Sequence, residues 1–338
     1  MSKLSDFVAA IAGDMSQFDR FVREPLQVLD EFHVPPESRQ LLLVRSEDAL
    51  ARLVRPGVPA PKSPSRYLLG GHLVLVESFR QKPHGGVYLA LQKASTGSTA
   101  VRVIVKSAIR SAGHDASDAT HLQRLRWHYI LQQRLQPDGI VPDVVQWIDF
   151  CRHGLLVSEY LPGPSLSSTI LNRQPATNDD QCLQLTRHLI DRLARLHDHD
   201  VFLVDLSPDN IVRLKDGTLF FVDLEHAVGP GSPPFVGWTE GTPGFYPAVE
   251  TLRTVEPDTS RWLFLRDVFA VGAITLATLD PSWYALMFGT QKIDPGHWEQ
   301  SSHIQSLRGR IGEFVRRATL RGVPFSDLVE CRGVLRGN

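Results

Sequence analysis

Cysteine is scarce in this chain. Cys151, Cys182 and Cys331 form an odd, widely spaced set with no Cys-x-x-Cys pair. That argues against a disulfide framework or a structural zinc and suits a reducing compartment. Net charge is nearly absent too: 36 Lys and Arg face 37 Asp and Glu, leaving −1. No overall field then favours nucleic acid or an anionic membrane as partner, although a local basic patch stays open. Long apolar runs are missing. The longest, VFAVGAITLATL at 268–279, falls short of the roughly 20 residues that span a bilayer and reads as a buried helix. Near the N-terminus Asp6 and Asp14 bracket the apolar FVAAIAG with no cleavage-site pattern, so no signal peptide is expected. No internal repeat is evident. What remains is a cytoplasmic globular chain whose 338 residues allow two or three compact units.

Periodicity divides the chain. In residues 1–55 Phe7 and Ile11, Phe18 and Phe21, then Val28, Leu29 and Phe32 recur at helical spacing, interrupted by Pro25 and Pro35-Pro36, which predicts a helical extension. Residues 56–65 read as a proline-rich linker. From 66 to 158 the pattern changes to strands: RYLLGGHLVLVESF, GVYLALQ, AVRVIVKSA, VVQWIDFC and GLLVSEYL, with a helix near 118–136. From 159 to 338 helices dominate. TNDD at 177–180 offers an N-cap before Leu185, Leu189, Leu193 and Leu196. Five strands with one helix, then a mainly helical half, predict an α+β chain of two lobes.

One stretch concentrates candidate chemistry. VDLSPDNIVRLKDGTLFFVDLE (204–225) predicts two strands joined at Asp216-Gly217, a strong turn signal. Asp205 precedes Asn210 by five residues and Asp223 by eighteen. Taken alone this spacing is a weak signal, and aspartates capping the strands of a surface hairpin account for it better.

The surroundings shift the balance, because the stretch resembles the catalytic core of the protein-kinase-like family. That resemblance implies a bilobal kinase-like fold, with Asp205 orienting or deprotonating an attacking hydroxyl and Asn210 and Asp223 holding Mg²⁺ on ATP. Four further matches follow in order. VIVK at 103–106 resembles the strand lysine that pairs the α- and β-phosphates, making Lys106 the candidate. SEYLPG at 158–163 resembles the interlobe hinge, where backbone groups of Glu159 and Leu161 meet adenine. GTPGFYPAVE at 241–250 resembles the end of an activation segment, closing with Glu250. RDVFAVGAITL at 266–276 resembles the central buried helix, whose Asp267 braces the catalytic loop.

Within the first lobe GGVYLAL, with Gly85 and Gly86 at the nucleotide, and VIVKSAIRSAGHDASDATHLQRLR are similar to the kinase region of class III and IV lanthipeptide synthetases. Ser207 in DLSPDN suits that group. The resemblance covers about four fifths of the chain. It implies a free-standing kinase that phosphorylates Ser or Thr of a precursor peptide, with separate lyase and cyclase enzymes as partners and ATP and Mg²⁺ as cofactors.

Departures keep alternatives open. With Gly85 as the last glycine of GxGxxG, the first two positions are Arg80 and Lys82, read as exposed basic residues on a loop. His128 stands where the helix glutamate is expected; Glu77, Asp115 and Asp118 are substitutes, and a packed structural histidine fits equally. The HRD triplet is Leu203-Val204-Asp205, which lacks the arginine that docks an activation-loop phosphate, so Ser232, Thr239 and Thr242 read as ordinary loop hydroxyls. The DFG triplet is Asp223-Leu224-Glu225, with Leu224 in the apolar slot and Glu225 read as solvated. Residues 18–43 are similar to small helical modules of extradiol-dioxygenase small subunits and of some ribosomal-peptide leaders. A leader-recognition element and a helical cap both fit them. Two other functions stay in view: a pseudokinase scaffold binding leader peptide and partner enzymes, and a small-molecule phosphotransferase.

Overall fold

β-Branched and aromatic runs between residues 68 and 159 pair into one antiparallel sheet. The computed structural model describes residues 7, 17, 20–21, 24–34, 36, 68–69, 73–82, 85–93, 100–109, 116–150, 153–172, 178–233, 242, 244–247, 260–281, 284, 306–319 and 323–337. Strands β1 (Leu68–Leu69), β2 (Leu73–Lys82), β3 (Gly85–Lys93), β4 (Ala100–Ile109), β5 (Val144–Phe150) and β6 (His153–Glu159) lie in the order β1-β2-β3-β4-β6-β5. Helix α1 (Pro25–Glu31) precedes the sheet, and α2 (Ala116–Leu135) joins β4 to β5. Two-residue alternation gathers Leu73, Tyr88, Ala90, Val103, Val105, Leu155 and Val157 into one apolar cluster. The residues between them point the other way. Ala108 and Leu156 there pack with Leu125 of α2, and Leu122, Tyr129, Val144 and Trp147 surround them. The chain is mixed α+β, as its periodicity predicts.

In the N-terminal region Phe7, Phe21, Val28 and Leu29 are buried. The Phe7 ring meets Phe21 and Phe32 edge-on at 5.2 and 5.5 Å between centroids. Phe18, Ile11 and the linker 56–65 lie outside the described residues.

Contacts divide the chain into two compact units, Met1–Tyr129 with Asp143–Tyr160, and Ile130–Pro142 with Leu161–Asn338. The second unit takes back the end of α2 because polar groups bind it there. Arg134 Nη2 of α2 donates to the His199 carbonyl at 3.0 Å, and the segment after the helix is held too, the Gly139 and Ile140 carbonyls accepting from Arg192 at 2.6 Å and from Phe221 N–H at 3.0 Å. The sheet of this unit is one hairpin, β7 (Ile211–Arg213) with β8 (Leu219–Phe221). Its helices among the described residues are α3 (Leu166–Leu171), α4 (Asp179–His197), α5 (Ser260–Leu279), α6 (Gly309–Ala318) and α7 (Leu328–Arg336). Asn178 caps α4 by accepting from Gln181 N–H at 2.8 Å, and Asp179 and Asp180 follow in the first turn, where the helix dipole favours them. Cys182 on α4 and Cys331 on α7 are buried thiols outside any disulfide, and Cys182 Sγ donates to the Thr275 carbonyl at 3.5 Å.

Helix α5 is buried at every residue from Trp262 to Thr278, with α4 and α6 packed against it. Among the described residues it is the one helix long and apolar enough to cross a membrane. Burial of 94% of that window inside the protein makes it a core helix instead.

One expectation is corrected in the sheet. Arg80 and Lys82 are not on a loop; both belong to β2, whose pairing with β3 continues to Lys82↔Gly85. No glycine at 80 or 82 interrupts the ladder, and a register shift between Ser78 and Arg80 is absorbed within it. Gly85 is required by packing: a Cβ there would stand 2.0 Å from the Ser107 carbonyl oxygen of β4. Gly85→Ala is therefore expected to cost about 1–3 kcal/mol through forced separation of β3 from β4. A denaturation midpoint unchanged from wild type would show that the strands part without cost.

Candidate functional site

Beyond α4 the chain makes a turn that few sequences hold. Val204 sits at φ +64, a left-handed conformation uncommon for a β-branched residue. Asp205 N–H reaches back to the Leu203 carbonyl at 2.7 Å, closing a three-residue turn. Helix α5 supplies what fixes it. The fully buried Asp267 carboxylate accepts from Leu203 N–H and Val204 N–H, each at 3.0 Å, and pairs with His197 Nε2 at 3.0 Å. Arg266, one residue earlier, donates to the Val204 carbonyl at 3.2 Å. A buried carboxylate with three hydrogen-bond partners repays its desolvation far better than an isolated one.

The hairpin then folds the next two candidates to the same place. Pro208–Asn210 forms a 3₁₀ turn, and Asn210 Nδ2 donates to the Asp205 carbonyl at 3.0 Å. The turn at Asp216-Gly217 has Gly217 at φ +91, a value glycine adopts readily. Asp216 Oδ1 accepts from Thr218 N–H at 2.9 Å, and the Leu214 N–H donates to the Thr218 carbonyl at 2.9 Å. On return, Val222 N–H donates to the Asn210 carbonyl at 3.0 Å, so Asp223 follows directly beside Asn210. A backbone pair between Phe202 and Val228 closes the loop.

Asp205, Asn210, Asp223 and Asp267 are thus brought together within one unit. Burial pushes the Asp205 carboxyl up from its ordinary range. Hydrogen bonds from Thr242 and the nearby His226 pull it down, while Asp223 adds to the rise. Thr242 donates from both N–H (2.6 Å) and Oγ1 (2.7 Å) to Asp205 Oδ1, so it is more than an ordinary loop hydroxyl. Asn210 commits its nitrogen to the Asp205 carbonyl, which leaves its Oδ1 as the donor atom for a ligand. With the Asp223 carboxylate this makes a pair of hard oxygen donors, the chemistry magnesium takes.

Each of the other candidates is placed by its own element. Lys106 is half-buried on β4, opposite Val87 and Leu156, and alternation sets it on the sheet face that carries Ala108. Gly86 N–H donates to Ser107 Oγ at 3.0 Å, so Gly85 and Gly86 are strand residues rather than loop residues. Glu159 is exposed, and its N–H donates to the Asp143 carbonyl at 2.9 Å. Leu161 is buried, and its carbonyl accepts from Gly163 N–H at 2.9 Å. The division between the units falls at Tyr160–Leu161, within SEYLPG. His128 is 2% exposed, whereas Glu77 is exposed. Leu224 fills an apolar slot with 0% exposure, and Glu225 is half-buried rather than solvated. Ser232 Oγ accepts from Gly229 N–H at 2.9 Å. Asp115, Thr239 and Glu250, and the side chains of Lys82 and Asp118, lie outside the described residues.

Sequence reasoning missed Arg266, Thr242 and His197. For Arg266 a signal existed: two adjacent charges inside the otherwise uncharged run WLFLRDVFAVGAITL need partners if the helix is buried. No family model matches this chain, and none of the curated proteins is significantly similar to it.

Proposed function

We propose that this chain is an ATP- and magnesium-dependent kinase of protein-kinase-like fold that phosphorylates Ser or Thr hydroxyls of a ribosomal precursor peptide. It would act in the cytoplasm ahead of dehydration in lanthipeptide-type biosynthesis, with separate lyase and cyclase enzymes. The observation that carries this reading is the cluster of Asp205, Asn210 and Asp223, gathered by one hairpin and braced by Asp267. Hairpin-capping aspartates alone would need neither a strained Val204 turn nor a buried carboxylate holding it.

In this reading Asp205 accepts the hydroxyl proton as the hydroxyl oxygen attacks the γ-phosphorus and ADP leaves. A carboxyl raised by burial is better matched to that task than an ordinary aspartate. Asn210 Oδ1 and Asp223 would hold magnesium, which when bound neutralises phosphate charge. Lys106 would pair with the α- and β-phosphates, beside Gly85 and Gly86, and backbone groups of Glu159 and Leu161 would seat adenine. The protein's share is positioning and electrostatics.

The sheet gives the pseudokinase reading one favourable observation. Packing alone accounts for Gly85, and β2 and β3 stay paired to their tips where a phosphate-covering glycine loop is expected. Thermal melts of wild type and Asp223→Asn, with and without ATP and Mg²⁺, separate the readings. Ligand at a hundredfold excess over Kd stabilises by about 2.7 kcal/mol. The kinase reading expects a magnesium-dependent rise in Tm for wild type that the variant loses. No rise in either protein would overturn it and leave the scaffold.

A further inference from the structure

One buried charge in the second unit takes no part in the chemistry proposed above. Arg266 is 3% exposed. Its guanidinium carbon lies 4.7 Å from the Trp262 ring centroid and 5.5 Å from that of Tyr246, while Nη2 donates to the Val204 carbonyl. Desolvating a guanidinium is costly, so a buried one persists where fixed partners compensate. Here these are two aromatic faces, a backbone carbonyl and the charges of Asp267 and Asp205. Arginine suits the position because its plane stacks on rings while its edge donates; an ammonium does only part of this.

The partners come from three separate stretches. Trp262 is on α5, Val204 is in the strained turn, and Tyr246 ends a short turn closed by Phe245 N–H donating to the Thr242 carbonyl at 3.0 Å. That turn is also gripped at its start, where Thr242 donates twice to Asp205. It is therefore fastened to Val204–Asp205 at both ends, and the second fastening runs through Arg266.

We propose that Arg266 is a positioning residue that clamps the Thr242–Tyr246 turn onto the Val204–Asp205 peptide, so that Asp205 is ordered by a side chain built into α5 and not by a phosphate added to the segment. Leu203-Val204-Asp205 has no cation of its own for that purpose, and Arg266 brings one from the helix. Under the phosphotransfer reading, on which only the kinetic part rests, Arg266 acts on kcat. The nucleotide-side groups Asn210 and Asp223 have their own support in the hairpin.

Arg266→Met keeps the volume and ring contacts but removes the donor and charge; Arg266→Lys restores the charge and a donor without the planar stack and guards against a variant that does not fold. Hydrogen exchange in the full-length chain reads the clamp directly. The clamp expects Arg266→Met to quicken exchange at least tenfold over 203–206 and 242–247 together, with Arg266→Lys intermediate and β4 and α7 unchanged. In ATP turnover, kcat should fall about 100-fold, the usual cost of roughly 1 Å misplacement, with KM for ATP within twofold. Unchanged exchange, a rise in one stretch only, or a uniform rise through the unit would each overturn the proposal. If wild type neither binds nor consumes ATP, the phosphotransfer reading fails, and the exchange pattern still decides the clamp.

Discussion

Asp205→Asn is expected to lower phosphotransfer by about 10²–10⁴-fold, the range for loss of a positioned general base, with affinity for ATP and Mg²⁺ little changed. Asparagine keeps an oxygen where Oδ1 accepts from Thr242 N–H and Oγ1, so the local hydrogen bonds persist. It cannot take a proton. The Asn210 amide donates to the Asp205 backbone carbonyl and not to its side chain, so the magnesium-side geometry does not depend on the substituted group. Turnover should fall in kcat, and the magnesium-dependent rise in Tm should survive. Phosphotransfer at the wild-type rate would remove Asp205 from the chemistry.

The same variant carries a stability prediction of opposite sign. The Asp205 carboxyl is held above its ordinary value, chiefly by burial, so the folded state binds its proton more tightly than the unfolded state does. Its contribution to stability falls as pH rises from the unfolded value, about 3.9, through the higher folded one, and the loss is complete once both forms are ionised. Asparagine has no such dependence. Asp205→Asn should melt at or above wild type at neutral pH, and the difference should close as pH falls toward 4. A site kept less stable than it could be is the usual mark of a functional one.

Much of this architecture is legible in the chain because its strands alternate and its α4 repeats. Leu185, Leu189, Leu193 and Leu196 mark one face, and Asn178 caps it in sequence as in space. The full extent of α5 is not. The sequence picks out 266–276, but the helix begins at Ser260, and a helix buried all round has no polar face to give it a readable period. Polar Arg80, Gln81 and Lys82 look like a loop, yet the register of β2 on β3 keeps them paired, a non-local fact. Nor does the continuous helical pattern of α2 reveal that its last turns belong to the second unit.

At the site the divide is sharper. Asp205, Asn210 and Asp223 are joined by a hairpin whose turn is written in Asp216-Gly217. Local chemistry therefore suffices to bring them together. Thr242 reaches Asp205 across 37 positions and Arg266 reaches Val204 across 62. Neither meeting is local, and the second exists because α5 packs beside the turn.

Asp267→Asn should be strongly destabilising. The carboxylate accepts from two backbone N–H groups and pairs with His197, at 0% exposure. An amide of the same shape offers one oxygen for these partners and turns its NH₂ toward a donor. At least one buried N–H loses its acceptor, and Arg266 loses a neighbouring negative charge. Breaking one side of such a buried, charged network costs about 3–5 kcal/mol. In a protein of this size that corresponds to a fall in Tm of about 4–7 °C. His197→Phe is the control. It removes one of the three partners and keeps a ring near Phe202, which lies 4.6 Å from His197 between centroids. Its cost should be about 1–2 kcal/mol, because the carboxylate retains both backbone donors. If Asp267→Asn melted no lower than His197→Phe, the two backbone contacts would not be what holds Val204 in its strained turn. If it melts far lower, the turn presenting Asp205 is held chiefly by one buried carboxylate of α5. Turnover in any Asp267→Asn protein that remains folded should then fall in kcat, because Asp205 loses its support without being changed itself.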